Sequence, residues 1–185
     1  MPLCPEDQNY FGDPSTRLCV DRCPTLTADV LNVTASINNS AGILYADYST
    51  RLCVYTCPEE YGPFGTFGDN DTNTCVFRCP DGTYGDWQNP NRQCVKRCTD
   101  GTYADNLTNT CVSECPASPP YFGEDTNWTC VMDCPEGTWA DATTRTCEED
   151  CPADEFRLTD ERAECVSVCP SDPDLYGDPD NDNCV

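Results

Sequence analysis

Pairs of cysteines separated by three residues recur along the whole chain and constrain its fold more than any other feature. Of the 185 residues, 18 are cysteine. Sixteen of them form eight pairs, most within the sequence Cys-Val-x-x-Cys-Pro, and one more cysteine lies near each end. The pairs are Cys19/Cys23, Cys53/Cys57, Cys75/Cys79, Cys94/Cys98, Cys111/Cys115, Cys130/Cys134, Cys147/Cys151 and Cys165/Cys169. Self-similarity at such a short period predicts an array of small repeated units.

Division of the chain before the second cysteine of each pair gives nine repeats with two cysteines each. The repeats are residues 4–22, 23–56, 57–78, 79–97, 98–114, 115–133, 134–150, 151–168 and 169–185. The second repeat has 29 residues between its cysteines, whereas the others have 12 to 17. Its insertion, around Thr25 to Gly42 within residues 24–52, is rich in Thr, Asn and Ser. We expect a protruding loop or an extra pair of strands there.

A second motif, an aromatic residue followed by a small residue and an acid, recurs inside the repeats. It appears as Phe11-Gly12-Asp13, Tyr45-Ala46-Asp47, Phe67-Gly68-Asp69, Tyr84-Gly85-Asp86, Tyr103-Ala104-Asp105, Phe122-Gly123-Glu124, Trp139-Ala140-Asp141 and Tyr176-Gly177-Asp178. Only the eighth repeat breaks it, with Phe156-Arg157-Leu158. We predict a short hairpin in which Gly-Thr-aromatic forms the outgoing strand, the small residue, Asp and Asn form the turn, and Thr-x-Thr-Cys-Val returns. We expect the aromatic ring to pack on the neighbouring repeat.

Apolar residues are too few to form a conventional core. Leu, Ile, Val and Phe number 28 and the net charge is −23, a composition that predicts disorder when cysteines are absent. A disulfide across the base of each hairpin offsets this, because closing a loop of about 15 residues stabilises a fold by roughly 3 kcal/mol. The predicted fold is therefore small, disulfide-rich and mostly β or irregular: a linear tandem array of nine one-disulfide β-hairpin modules that forms a rod. We expect the modules to stack at roughly the 10 Å spacing of packed sheets.

Charge and composition argue against several classes of function. Ten basic residues against 33 acidic ones leave no basic stripe for nucleic acid or an anionic membrane. No run of 18 apolar residues occurs, so we expect no membrane insertion in this segment. The chain has no histidine, the commonest general base, and no convergent catalytic set, so we expect that it is not an enzyme. The N-terminal residues lack the charged and apolar regions of a signal peptide, which indicates a processed chain or a piece of a longer precursor.

Cysteines and acidic turns are the candidate metal ligands. Zinc knuckles space their cysteines by two residues and usually include histidine, and redox catalysis uses Cys-x-x-Cys. Neither pattern is present, so we expect structural disulfides and no cofactor. Oxygen ligands alternate in Asp69-x-Asp71-x-Asn73 and Asp178-x-Asp180-x-Asp182, which suits calcium. Neither stretch continues into an EF-hand, and the favoured interpretation is that these residues form solvated turns.

Five Asn-x-Ser/Thr sequons predict N-linked glycans in a secreted chain. They lie at Asn32, Asn38, Asn70, Asn106 and Asn127. Asn70 and Asn106 directly follow the aromatic–small–acid motif, and Asn127 lies close to the equivalent position. We therefore expect these three at exposed hairpin tips and the first two on the surface of the insertion.

The cadence Cys-Val-x-x-Cys-Pro-x-Gly-Thr-Tyr-x-Asp resembles the furin-like cysteine-rich repeats of growth-factor receptors. It is most similar to the long tandem arrays of such repeats in surface proteins of protists. The resemblance covers the whole chain, and it implies a rod of small disulfide modules in an extracellular or cell-surface protein. It implies a compartment rather than an activity, because the family includes receptors, adhesins, and coat or fibril proteins.

We predict one disulfide per repeat, between its first and last cysteine, because only this division pairs every cysteine locally. The predicted bonds are Cys4–Cys19, Cys23–Cys53, Cys57–Cys75, Cys79–Cys94, Cys98–Cys111, Cys115–Cys130, Cys134–Cys147, Cys151–Cys165 and Cys169–Cys184. Two alternatives stay open. Bonds within each closely spaced pair would leave the first and last cysteines unpaired, and bonds between alternate cysteines of neighbouring repeats would follow the two-disulfide furin-like modules.

The sequence favours an extracellular structural glycoprotein that builds a fibril, coat or surface appendage. Read from its end into its start without Met1, the chain gives Cys-Val-Pro-Leu-Cys-Pro, the junction found between internal repeats. We therefore expect head-to-tail contacts between copies, in separate chains or in one longer tandem polypeptide, and such heterologous contacts propagate into filaments. The simpler alternative is that any fragment of a repeat array has matching ends. The rival function is a cysteine-rich stalk or ligand-binding ectodomain of a receptor or adhesin, which would expose an apolar patch in an unglycosylated repeat.

Overall fold

A computed structural model describes residues 4–5, 9–25, 42–62, 64–159, 163–172 and 174–185. These residues form short strands and no helix. The strands are β1 (Phe11–Gly12), β2 (Cys19–Val20), β3 (Tyr45–Asp47), β4 (Leu52–Val54), β5 (Phe67–Asp69), β6 (Thr74–Val76), β7 (Tyr84–Gly85), β8 (Cys94–Val95), β9 (Tyr103–Asp105), β10 (Thr110–Val112), β11 (Phe122–Glu124), β12 (Thr129–Val131), β13 (Trp139–Asp141), β14 (Thr146–Glu148), β15 (Phe156–Leu158), β16 (Glu164–Val166), β17 (Gly177–Asp178) and β18 (Asn183–Cys184). They belong to two compact units, residues 1–99 with 107–111 and residues 100–106 with 112–185. The structure confirms a disulfide-rich, mostly β repeat array.

The hairpins place the aromatic–small–acid motif in the outgoing strand. In the sixth repeat, β11 pairs antiparallel with β12, so that Gly123 lies opposite Cys130 and Glu124 lies opposite Thr129. Only four residues then remain for the turn. The expectation that the small residue and the acid form the turn is therefore wrong, because this register keeps both in the strand. Where a repeat contains Gly-Thr, as before β5, β7, β9 and β13, this pair precedes the strand.

Backbone hydrogen bonds join neighbouring repeats into ladders. The first strand of one repeat pairs parallel with the last strand of the next. The pairs are β1 with β4, β3 with β6, β7 with β10, β9 with β12, β11 with β14, β13 with β16 and β15 with β18. Between β5 and β8, a single bridge from Gly68 to Gln93 takes the same place.

This arrangement corrects the expected mode of stacking. Repeats meet edge to edge through hydrogen bonds, and not face to face like packed sheets. In the first unit the ladder runs β2-β1-β4-β3-β6-β5, and in the second it runs β17-β18-β15-β16-β13-β14-β11-β12-β9. Since adjacent strands lie about 4.7–4.9 Å apart and each repeat adds two strands, the advance per repeat is about 9.5 Å in the hydrogen-bonding direction.

Nine disulfides close the repeats, and they are the pairs predicted from the sequence. Their Cα–Cα distances are 5.5–5.7 Å, and no cysteine is free. Sequence separations range from 13 for Cys98–Cys111 to 30 for Cys23–Cys53. Neither alternative pairing is formed. The bonds also supply much of the buried apolar material, because most of the cysteines are buried.

The insertion of the second repeat is anchored where it leaves and re-enters the array. Thr25 pairs with Ile43 in an antiparallel bridge. Leu44, which is fully buried, donates its N–H to the carbonyl of Pro24 at 3.1 Å. The intervening residues 26–41 lie outside the described residues, so the choice between a loop and extra strands stays a prediction.

Candidate functional site: the junctions between repeats

An aromatic ring forms the centre of the junction between two repeats. The ring of one repeat lies on the small residue of the next repeat in the chain. A Cβ atom added to Gly68 would lie 2.5 Å from the Tyr45 ring, and one added to Gly123 would lie 2.4 Å from the Tyr103 ring. Real Cβ atoms essentially never approach another atom within 3.0 Å, so these positions require glycine. The predicted packing of the ring on the neighbouring repeat is observed at these junctions.

A guanidinium group lies over several of these rings. The Cζ atom of Arg51 lies 5.1 Å from the ring centroid of Phe11. The further pairs, at 4.9 to 5.1 Å, are Arg92 over Phe67, Arg145 over Phe122 and Arg157 over Trp139. In each pair the arginine belongs to the repeat that follows the ring. Because a cation–π contact is worth roughly 0.5–2 kcal/mol, the arginines bind each of these repeats to the one before it.

The residue two positions before the last cysteine of each repeat adopts a left-handed backbone conformation. These residues are Arg17, Arg51, Asn73, Arg92, Asn109, Trp128, Arg145, Ala163 and Asp182, with φ from 47° to 62°. This conformation ends the turn and directs the carbonyl at the preceding repeat. Gly12 donates its N–H to the carbonyl of Arg51 at 2.9 Å, and Gly123 donates to that of Arg145 at 2.8 Å. Asn adopts this conformation readily, whereas large side chains rarely do.

Side chains at this left-handed position also reach the preceding repeat. Asn73 donates from Nδ2 to the buried carbonyl of Cys23 at 3.0 Å, and Asn109 makes the equivalent contact. Arg145 donates from Nη2 to the carbonyl of Tyr121 at 2.7 Å. This position was not predicted from the sequence. Alignment of the repeats on their last cysteine would have shown it, since six of the nine residues there are Arg or Asn.

The eighth repeat makes the junction contact from a different position. Arg157 replaces the small residue of the motif, and its Cζ atom lies 5.0 Å from the ring centroid of Trp139. Ala163, at the left-handed position, has no side chain that reaches a ring. Phe156 still begins β15, and its ring lies 2.5 Å from the position of an added Cβ at Gly177. In the eighth repeat the arginine that contacts the ring therefore lies in the strand, whereas in other repeats it lies at the end of the turn.

Tyr103 combines its ring contact with stacking and a hydrogen bond. Its ring stacks on Trp128 of the next repeat, with centroids 5.7 Å apart and an interplanar angle of 28°. Its hydroxyl donates to Oδ1 of Asp125 at 2.8 Å. Burial, followed by this hydrogen bond and the nearby carboxylate charge, raises the pKa of Tyr103 to about 12. The phenol is therefore a fixed hydrogen-bond donor at physiological pH.

The acid of the motif caps the turn that follows it. Asp13 Oδ1 accepts from the N–H and the hydroxyl of Ser15 at 2.9 and 2.7 Å, and Oδ2 accepts from the Thr16 hydroxyl at 2.7 Å. Burial by itself raises the pKa values of Asp13 and Glu124, but the hydrogen bonds from their own turns outweigh it and lower both pKa values. At neutral pH these carboxylates are charged and stabilise the turns.

The two candidate calcium stretches make turn contacts. Asp69 accepts from the Asp71 N–H at 3.0 Å and from the Thr72 hydroxyl at 2.7 Å, while Asn73 is bonded to the preceding repeat. Asp178 similarly accepts from the residues of its own turn. Within the part of the chain that the structure describes, no group of three or more Cys, Asp or Glu side chains is placed to hold a metal ion. These contacts support the interpretation as turn residues.

Three predicted glycosylation sites lie at the tips of hairpins. Asn70, Asn106 and Asn127 are exposed and follow β5, β9 and β11. Asn32 and Asn38 lie outside the described residues. The exposed side chains meet the steric requirement of an N-linked glycan, and the modification itself stays a prediction.

A hydrogen bond to its oxygen atom holds the Asn70 side chain in place. Its Oδ1 accepts the Tyr45 hydroxyl proton at 2.6 Å, and the same hydroxyl accepts from Nε2 of Gln93 at 2.6 Å. Burial, the main cause, together with the charge of Asp69, raises the pKa of Tyr45, although the hydrogen bond from Gln93 opposes the change. One phenol thus links the second, third and fourth repeats. The contact uses the carbonyl oxygen of Asn70 and not Nδ2, the atom that a glycan modifies.

No helix among the described residues is long and apolar enough to cross a membrane. No protein-family model and no curated protein sequence matches the chain. The resemblance to furin-like repeats and the absence of enzyme activity therefore stay predictions. The disulfide-bonded array itself fits an extracellular protein, because disulfides persist in oxidising compartments.

Proposed function

We propose that this protein is an extracellular structural glycoprotein whose repeats build a fibril, coat or surface appendage by head-to-tail assembly. The observation that supports this function is the repeated junction, with the same parallel pairing at each step of the ladders. The contact is heterologous, because the first strand of one repeat meets the last strand of another. Heterologous contacts of this kind propagate without closing.

The sides of the array support the same proposal. A net charge of −23 and exposed sequons at Asn70, Asn106 and Asn127 favour hydration over lateral association. Strand edges then remain as the surfaces at which copies meet, since an unpaired edge is a template for further pairing.

Electron microscopy of the native, glycosylated protein tests the proposal. We expect filaments whose density repeats at about 9.5 Å per repeat, the advance of two hydrogen-bonded strands. Intact-mass measurement before and after glycosidase treatment tests the glycans in the same material. Protein that stays monomeric at every concentration, or that loses no mass to the glycosidase, would contradict the corresponding part of the proposal.

A ligand-binding ectodomain is the second candidate function, and one surface favours it. In the third repeat Tyr61, Phe64 and Phe77 are exposed, Phe77 at 69%. An added Cβ at Gly62 would lie 3.8 Å from the Phe77 ring, so this ring adjoins the segment that carries the other two. Exposed apolar clusters mark interaction sites, although this repeat also contains the Asn70 sequon. Monomeric protein whose binding to cells is lost in Phe77→Ser would favour this function over assembly.

A further inference from the structure

We propose that the outer edge of the ninth repeat binds the first repeat of a second copy of this chain, with Tyr176 packed on Gly12 beneath Arg17. The inference rests on the proposed head-to-tail assembly and deepens it, because it identifies the residues of the contact. The internal junctions supply the template, and the two outer strands of the ladders supply its two halves.

Tyr176 is the aromatic residue of its motif, yet its ring is exposed. It exchanges two backbone hydrogen bonds with Val185, at 2.8 and 2.9 Å, so its backbone is fixed in the hairpin. Tyr176 is 72% exposed, whereas the aromatic residues at internal junctions, Phe11, Tyr45 and Phe67, are at most 2% exposed. Among the described strands, none pairs with the outer edge of β17. The ring of Tyr176 is therefore held in position and exposed.

Gly12 offers the small residue that such a ring requires. At Gly68, Gly85, Gly123 and Gly177, the atoms nearest to an added Cβ belong to the ring of the preceding repeat, at 2.4–2.5 Å. At Gly12, the three nearest atoms of the described residues belong instead to Leu52, Arg51 and Cys4, at 3.0 to 3.8 Å. Its strand β1 belongs to the first repeat, whose β2 ends the strand order. Among the residues that the structure describes, no ring lies against Gly12 in the space that a ring fills at internal junctions.

Arg17 supplies the cation and the backbone acceptor of the same junction. It has the left-handed conformation, with φ 62°, and occupies the position held by Arg51, Arg92 and Arg145 in later repeats. Those arginines lie over the ring of the preceding repeat, whereas Arg17 is exposed. In the template, the carbonyl at this position accepts the N–H of the small residue in the preceding repeat. The equivalent donor is the N–H of Gly177 in the second copy.

The complementarity of these halves assigns the occupant to a second copy. One edge presents an aromatic ring and a backbone donor, and the other presents a glycine, a cation and a backbone acceptor. These are the components of the junction between the third and fourth repeats, where Phe67 lies on Gly85 beneath Arg92 and Gly68 donates its N–H to the Arg92 carbonyl, divided here between the ninth and the first repeat. An unrelated partner is not expected to complement both edges.

Sedimentation velocity of the full 185-residue chain, with its disulfides intact, measures the contact. Tyr176→Ala removes the ring, and Arg17→Ala removes the cation while leaving alanine at a left-handed position, as at Ala163. We expect Tyr176→Ala to weaken self-association roughly 10- to 100-fold, the change that follows loss of a buried aromatic side chain. Phe77→Ala, at a residue exposed to a similar degree, is the matched control and should leave association unchanged.

A photo-crosslinking amino acid in place of Tyr176 tests which surface the ring meets. We expect cross-links between two chains, to the peptide that contains Gly12 and Arg17, and none to that peptide from the same amino acid placed at Phe77. Filaments that persist in Tyr176→Ala, with cross-links elsewhere, would overturn this contact and leave the proposed function standing. Absence of self-association in every variant and in the parent chain would overturn both.

Discussion

A methyl group added at Gly123 tests whether the ring contact holds two repeats together. In Gly123→Ala, the new Cβ would lie 2.4–2.7 Å from three ring atoms of Tyr103. This ring is not free to retreat, because it stacks on Trp128 and its hydroxyl is bound to Asp125. Overpacking of this kind costs about 1–3 kcal/mol, and the smaller entropy of the unfolded alanine chain offsets about 0.4–1 kcal/mol. We expect the junction to be destabilised by about 1–2 kcal/mol.

Hydrogen exchange at the amide of residue 123 is the suitable assay. This amide donates to the carbonyl of Arg145 at 2.8 Å across the junction, so its exchange reports local opening. A loss of about 1–2 kcal/mol corresponds to exchange that is roughly 5- to 30-fold faster. In monomeric protein, Gly12→Ala read at the amide of residue 12, which donates to the Arg51 carbonyl, is the control, because within one chain its new Cβ meets the end of the exposed Leu52 side chain at 3.0 Å and no ring of the described residues. Unchanged exchange in Gly123→Ala, or an equal effect in both variants, would refute the reasoning.

Other contacts of the array lead to three further predictions. Asn73→Gly keeps the left-handed backbone but removes the hydrogen bond to the buried Cys23 carbonyl, so the free energy of unfolding in denaturant should fall by about 1–2 kcal/mol. Because the pKa of Tyr103 is raised to about 12, the absorbance change near pH 12 in an alkaline titration should be lost in Tyr103→Phe. The stabilising effect of this phenol should disappear as the pH rises from 10 through 12. The pKa of Glu124 is lowered from 4.5, so its stabilisation is complete above that pH and is lost as the pH falls through the folded-state value. Glu124→Gln should therefore flatten the acid side of a profile of melting temperature against pH.

Each of these has a clear contrary outcome. If Asn73→Gly has the same free energy of unfolding as the parent chain, the side-chain hydrogen bond between repeats adds nothing to stability. An absorbance change near pH 12 that is the same in Tyr103→Phe would show that burial does not protect Tyr103. An acid profile that is the same in Glu124→Gln would assign acid sensitivity to other carboxylates.

The covalent frame was predictable because it depends on local sequence. Each disulfide joins cysteines 13 to 30 positions apart, and the pairing follows from counting two cysteines per repeat. The hairpins were predictable for the same reason, although their strands begin later than expected. Strand propensity predicts that the strand includes Gly-Thr-Tyr. The observed pairing of Gly123 with Cys130 instead gives a register in which the strand begins at the aromatic residue.

The contacts between repeats were less predictable, because no residue carries the information alone. Parallel pairing of β1 with β4 joins residues that lie about 40 positions apart, such as Gly12 and Leu52. The left-handed residues were missed because arginine does not favour that conformation, whereas Arg51, Arg92 and Arg145 adopt it and lie over the ring of the preceding repeat. In the eighth repeat, Arg157 in the strand contacts the ring, and Ala163 is the left-handed residue. This separation hides the pattern from a comparison of single positions.

The position of each disulfide limits how far the protein can be stretched. Under tension applied along the chain, residues inside a closed loop bear no load, because the force passes through the disulfide. Only the four peptide steps between one loop and the next can straighten, which yields about 14 Å, and the disulfide itself spans about 5.6 Å between Cα atoms. A repeat that occupies about 9.5 Å in its ladder thus reaches roughly 20 Å when all its hydrogen bonds are broken. Without the disulfide, the 17 residues of 98–114 would extend to nearly 60 Å. Each repeat can therefore lengthen about twofold before its covalent frame resists further extension.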